Sequence, residues 1–280
     1  MPCVHPTAPV WHSLRGRSLV VAPGAWLSSL SRSLFDLHVP TRVSAETVSY
    51  YAPREGTQID HSYASMPVFC SDAYNGLGAF GYYGLPMIDV PGIKASAHYA
   101  GPTVDPGRRP LSAGGAVELS AEEEAAAARQ VAAVIESTSR FVAQSFPHVE
   151  HTPFTSQSCL YTSTPDHDYV LDRVPTHERV VLVGGGSGHA FKMAPAIGVW
   201  PGPCTFVAHA CKQALPLSMP ASLVFVLTPK GAPPAPLLPA GHCAAALALG
   251  QPTPLPVERF KLERLRHVEE YDQSMHGFRR

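Results

Sequence analysis

Hydrophobic and polar positions along the 280-residue chain follow two rhythms. Ser18–Ala22 is a short apolar run closed by Pro23 and Gly24. It predicts a buried strand entering a tight turn before a short helix over Ala25–Leu30. Between Thr47 and Tyr99, short runs rich in Val, Tyr, Phe and Ile alternate with Gly, Pro and Asp. That punctuation predicts antiparallel strands at Thr47–Tyr51, Pro67–Cys70, Ala79–Leu85 and Ile93–Tyr99. At Ser120 the rhythm changes. Glu123, three residues on, completes a capping box, and Val131, Val134, Ile135, Thr138 and Val142 recur at helical spacing until Pro147 forbids continuation. The segment predicts an amphipathic helix covering one sheet face. Val180–Val183 is apolar throughout, as in a parallel strand buried on both faces, and leads into Gly184-Gly185-Gly186-Ser187-Gly188-His189. From Trp200 to Ala240 prolines are dense, charges scarce and both periodicities vanish, so this stretch is expected outside the core. Pattern returns at Ala244–Leu249 and at Val257–Val268, the latter a charged segment of helical or extended tail character.

Composition narrows the possible functions. Hydrophobic residues make up 45% and charged residues 15%, with a net charge of -1 and a pI of about 6.9. There is no basic excess to neutralise phosphates or an anionic lipid surface, so neither nucleic acid nor membrane is an expected partner. No run approaches the roughly 18 apolar residues of a spanning helix, and Leu19–Ala22 is too short for a signal-peptide core. The six cysteines (Cys3, Cys70, Cys159, Cys204, Cys211, Cys243) are scattered without a C-x-x-C pair, which fits a reducing compartment and no metal site. The C-terminal Gly277-Phe278-Arg279-Arg280 is not a peroxisomal address of the Ser-Lys-Leu type.

The glycine cluster after Val183 carries two open readings. Backbone N–H groups opening a helix after Gly188 would stabilise partial negative charge, or the turn serves only close packing of strand on helix. A nicotinamide-dependent dehydrogenase is disfavoured. Counted from Gly184 or Gly185, the third glycine of a G-x-G-x-x-G fingerprint falls on His189 or Ala190, and no acidic residue follows about 20 residues on. In the second cluster, Ile93-Lys94-Ala95-Ser96-Ala97-His98, the two basic residues lie four apart and would project from one face of a strand.

Several separated motifs resemble one family. Cys159-Leu160-Tyr161-Thr162, Thr164-Pro165-Asp166 and Asp172-Arg173 resemble the C-terminal flavin segment of the monomeric sarcosine oxidase and pipecolate oxidase family, FAD-dependent amine oxidases of the DAO superfamily. Ser187-Gly188-His189-Ala190-Phe191-Lys192 is similar to their Ser-Gly-His-Gly-Phe-Lys turn, with Ala190 in place of the glycine, and Gly24-Ala25-Trp26 to a turn ending the last strand of their FAD domain. Tyr82-Tyr83-Gly84-Leu85-Pro86 and the Lys94-to-His98 segment belong to the same likeness.

The resemblance implies an α/β plus antiparallel β (α+β) fold. Residues 13–33 and 157–199, with about 244–256, would be a partial Rossmann-like FAD-binding domain, and 34–156 an antiparallel-sheet substrate domain. Residues 200–243 would be a Pro-rich insertion foreign to the family, and 257–280 a C-terminal tail. The implied cofactor is FAD, attached by a thioether from Cys159 to the flavin 8α-methyl carbon, with Tyr161 beside the ring. Gly24, Gly185, Ser187, Gly188 and His189 would approach the cofactor, and Lys192 would offer a cation to the substrate carboxylate. Lys94 would serve oxygen reduction, while His98 and Tyr83 line the amine site. The implied reaction oxidises a secondary amino acid, of sarcosine or L-pipecolate type, to an imine while oxygen becomes hydrogen peroxide. The partners are then a small amino acid and oxygen, the chain is a monomer, and residence is peroxisomal by resemblance or otherwise cytoplasmic. The competing expectation is an N-terminally truncated chain that lacks the dinucleotide-binding unit, binds no FAD, and is an inactive fragment or interaction module.

Overall fold

The computed structural model describes residues 18–78, 80–108, 120–193, 206–209, 224–227, 244, 247, 250, 252–253 and 257–268. In chain order the strands are β1 (Leu19–Ala22), β2 (Arg42–Tyr51), β3 (Phe69–Ser71), β4 (Tyr82–Leu85), β5 (Ile93–Ala97), β6 (Thr155–Ser163), β7 (Val170–Val174), β8 (His177–Gly184), β9 (Phe206–His209) and β10 (Val224–Leu227). Helices α1 (Leu27–Phe35) and α2 (Ala121–Ser145) join them. The chain forms two compact units, one of Met1–Arg42, Pro110–Ala116 and Thr162–Arg280, the other of Val43–Arg109 and Val117–Tyr161. The architecture is α/β with antiparallel sheet, as the resemblance implies.

The first unit is a five-stranded sheet of order β7-β8-β1-β10-β9. β1 and β8 are parallel, with Val20 opposite Val181 and Val21 opposite Leu182. On one face Val21 and Leu182 pack with Leu27 and Leu30 of α1; on the other Val181 and Leu171 meet Ala244 and Val257. Burial on both faces explains why these strands are apolar without alternation. Two expectations change here. The stretch predicted to lie outside the core contributes β9 and β10, and β10 pairs antiparallel with β1. Four-residue strands set among prolines are too short to show a period. The charged tail is likewise core, because Leu262 and Leu265, on a single 3-10 turn, are buried in the cluster that holds Val21 and Leu27.

The second unit is an antiparallel sheet of order β3-β4-β5-β2-β6 with α2 against one face. Tyr82, Ile93, Ala95 and Ala97 pack there with Val134, Phe141 and Val142. Tyr82 stacks on Phe141 with ring centroids 4.2 Å apart, and its hydroxyl lies 2.8 Å from that of Ser137. The capping box forms as read. The Glu123 N–H donates to the Ser120 hydroxyl and the Ser120 N–H to the Glu123 carboxylate. The Ser120 amide first, then Arg108, holds the Glu123 carboxyl down at about 2. The buried face of α2 runs through Val134, Ser137, Thr138, Phe141 and Val142, so Val131 and Ile135 are only half-buried. β2 starts at Arg42 rather than Thr47, and β5 stops at Ala97.

Candidate active site

In the second unit, alternation along β4 and β5 sends Tyr82, Ile93, Ala95 and Ala97 to α2 and leaves Tyr83, Lys94 and Ser96 on the opposite face. Tyr83 stands opposite Ser96, and Leu85 opposite Lys94. His98 lies in the turn just past β5 rather than on the strand as predicted. Its ring still meets Tyr83 edge-on at 5.2 Å and Tyr161 at 5.6 Å. The Tyr161 hydroxyl donates to the Tyr83 hydroxyl at 3.3 Å and lies 3.4 Å from Nδ1 of His98, both long hydrogen bonds. Three predicted residues from three strands or their ends therefore converge. Lys94 shares their face by register and is half-buried. Cys159, two residues before Tyr161 on β6, is exposed and in no disulfide.

Electrostatics sharpen this cluster. Burial, opposed by the hydrogen bond from Tyr161, raises the Tyr83 phenol above its ordinary value. Burial and then Tyr83 push Tyr161 up as well, with Glu46 and Cys159 adding to it. Both phenols stay neutral donors at any physiological pH. Sequence reading missed Tyr99, which contacts both His98 and Tyr161 at 4.2 and 5.3 Å, and Glu46, a carboxylate 1% exposed beneath the turn. A lone Glu in a predicted strand offers no signal of burial.

In the first unit two turns leave the carboxyl ends of the adjacent parallel strands β1 and β8. Gly24 has φ +55 and open space where a Cβ would stand. Gly185 has φ +61, and a Cβ there would come within 2.7 Å of Thr164 Cγ2. Gly184 fits the packing reading of the cluster, since its Cβ would strike Leu27 at 2.7 Å. Ser187 is fully buried at φ +47; its N–H donates to Thr162 O, its hydroxyl to Gly185 O, and Thr164 N–H donates to that hydroxyl. The side chain thus ties the turn together. Gly188 has φ +73 and is exposed. His189 Nδ1 sits 2.7 Å from the Tyr169 hydroxyl, and burial followed by Lys192 lowers the imidazole below its ordinary value. Lys192 is exposed on a single 3-10 turn, Phe191–Met193. Of the helix predicted to open after Gly188, the described residues include only this 3-10 turn; the rest lies outside them.

A literal G-x-G-x-x-G does occur at Gly76, Gly78 and Gly81, but it joins β3 to β4 and opens no helix. Gly81 is required there for another reason, since a Cβ would lie 1.8 Å from Ser71 O. Among the described residues no group of three or more His, Cys, Asp or Glu could hold a metal ion, and no helix is long and apolar enough to cross a membrane.

One unit thus carries parallel strands that end in glycine turns, and the other gathers Tyr83, His98 and Tyr161 on a sheet face. Residues 7–200 match the DAO family, described as FAD dependent oxidoreductase, and the chain belongs to that family. It is 31% identical over 186 residues to a peroxisomal sarcosine oxidase of Homo sapiens, covering 66% of this chain and 43% of that protein. To a probable sarcosine oxidase of Arabidopsis thaliana it is 32% identical, over 65% of this chain and 40% of that protein. The chain therefore spans less than half the length of these relatives. Among solved structures, an iminodiacetate oxidase from Chelativorans sp. BNC1 matches with a TM-score of 0.43 at 14% identity, over 89% of this chain and 46% of that one.

Proposed function

We propose that this chain carries the substrate-side machinery of an FAD-dependent oxidase acting on a small secondary amino acid of sarcosine or L-pipecolate type, with oxygen as the final acceptor. The observation that supports it most is the meeting of Tyr83, His98 and Tyr161 on one sheet face, with Lys94 on the same face by register. A secondary ammonium must lose its proton before it can be oxidised, and an imidazole is the side chain suited to hold that proton near neutral pH. His98 is proposed for that role. The neutral hydroxyls of Tyr83 and Tyr161 can orient the amine or its carboxylate. Lys94 would hold positive charge where oxygen is reduced, and Lys192 would offer a cation to the substrate carboxylate.

The residues fit a flavin on two counts. Positive-φ glycines end two neighbouring parallel strands, the position at which open α/β sheets take ligands, and the face at Gly24 is open. Cys159 presents an exposed thiol two residues from Tyr161, as a thioether attachment needs. When bound, the flavin would supply the two-electron acceptor for the carbon beside the amine nitrogen and return those electrons to oxygen, giving hydrogen peroxide. Gly24, Gly185 and Gly188 would let backbone approach it, while Ser187 and His189 hold the turn that does so.

The test is acid precipitation of the expressed chain. Retained yellow colour mapping to the Cys159 peptide, and lost in Cys159→Ala, is the expected result. Protein that precipitates colourless after incubation with FAD would reassign the chain to a non-catalytic fragment or interaction module.

A further inference from the structure

β2 changes partner halfway along. Its second half pairs with β5, Ser49 opposite Ala95 and Tyr51 opposite Ile93. Its first half is met by the chain that follows. Val104 N–H donates to Val43 O and Ala45 N–H to Pro102 O, both at 2.9 Å, and Ser44 bridges to Thr103. Between these two stretches the backbone turns through His98–Gly101, with Tyr99 at φ +55. The amides of Ala100 and Gly101 lie in that turn, outside both ladders, and buried backbone donors need acceptors.

Glu46 supplies one. It sits where β2 changes partner, and its Oε2 accepts from Ala100 N–H and Gly101 N–H, each at 3.1 Å. The Ser44 hydroxyl donates to Oε1 at 2.5 Å. From the other side, Asn75 Nδ2 donates to His98 O and to Gly81 O, and Gln130 Nε2 donates to Ala100 O. The turn presses close to β2, since a Cβ on Gly101 would lie 2.1 Å from Ala45 O. Burying a carboxylate is unfavourable unless its lone pairs are filled, and here three donors converge on it.

We infer that Glu46 is a positioning residue of the candidate active site: its buried carboxylate fixes the His98–Gly101 turn and so holds the His98 imidazole against Tyr161 and Tyr83. That the held imidazole matters for chemistry rests on the functional reading above; that Glu46 holds it does not. The residue touches no reacting atom in this role. A side chain that keeps an acceptor at the same reach should serve, and a shorter one should not.

The experiment compares the full chain with Glu46→Gln, Glu46→Asp and Glu46→Ala, without added flavin. Amide hydrogen exchange is read at Ala100 and Gly101, and magnetic-resonance contacts between the His98 and Tyr161 rings are read in the same samples. In Glu46→Ala, exchange at both amides should quicken at least tenfold and the ring contact should disappear, while α2 amides keep their protection. Glu46→Gln should restore both, because its carbonyl can accept the two amides. Glu46→Asp, one methylene shorter, should behave like Glu46→Ala and decides the matter if the alanine variant does not fold. Wild-type exchange together with an intact ring contact in Glu46→Asp or Glu46→Ala would overturn the inference. His98→Asn is the separate control: unchanged amine oxidation by the flavin-loaded enzyme would sink the functional reading and leave the Glu46 result standing.

Discussion

The glycine turn of the first unit and the aromatic cluster of the second are built by opposite means. Residues 184–189 are contiguous, and their path comes from positive φ at Gly185, Ser187 and Gly188, closed by short-range bonds such as His189 N–H to Gly186 O. The cluster of Tyr83, His98 and Tyr161 is assembled across separations of 63 and 78 residues. It is held from beneath by the buried polar side chains Glu46 and Asn75, and Ser137 in turn donates to Asn75 O. One site is a backbone shape; the other is a set of side chains in register. The first should therefore answer to changes in φ and in the atoms that crowd a Cβ, the second to changes in the packing beneath its sheet.

The sharpest attempt to break this contrast is Phe141→Ala. It removes the ring stacked on Tyr82 and should cost about 3–5 kcal/mol by denaturant unfolding, with amide protection in β1 and β8 retained. An equal loss of protection at β1 and β8 would show that the two units do not respond separately. Next comes Gly185→Ala, expected to cost about 1–3 kcal/mol from strain at positive φ and from contact with Thr164, and to perturb amides of the first unit alone. At Gly24, where nothing lies within 4 Å of a Cβ, the same change should cost less, about 1 kcal/mol, leaving strain as the only cause. A larger loss at Gly24 than at Gly185 would remove crowding from the account.

Arg264→Ala probes the tail that clasps the Thr164–Asp168 turn. Arg264 Nε donates to Asp166 Oδ2 at 2.6 Å and its Nη2 to Asp168 O, while the Thr164 hydroxyl donates to that same oxygen. Because the Asp166 carboxylate is one-third exposed, a loss of about 1.5 kcal/mol at neutral pH is expected, the low end for bonds to charged groups. Burial pushes the Asp166 carboxyl up, but the hydrogen bond and charge of Arg264, joined by the Asp168 amide and Thr164, together hold the group below the usual carboxylate range. Its contribution is thus present above that range and is lost as pH falls through the lowered folded value. Acid titration of stability should accordingly be shallower in Arg264→Ala than in the parent chain. The smallest effect is expected from Ser120→Ala, about 1 kcal/mol from the lost cap of α2, read as a lower unfolding midpoint with no change at the glycine turn.

What the sequence determined by itself are the features whose physical partners lie within a few residues. The Ser120–Glu123 box needs only its own turn, the stop at Pro23-Gly24 only a local φ, and the apolar run of β8 only burial on both faces. The motif around Cys159 and Tyr161 was likewise legible, because a run of side chains keeps its order whatever surrounds it. Tertiary structure decided the rest. It carried His98 off the end of β5 yet kept its ring on Tyr161, buried Glu46 under that turn, drew Leu262 and Leu265 into the core, and paired β10 with β1. Each of these depends on a partner tens of residues away, and no spacing along a single chain records which backbone amide a distant carboxylate will meet.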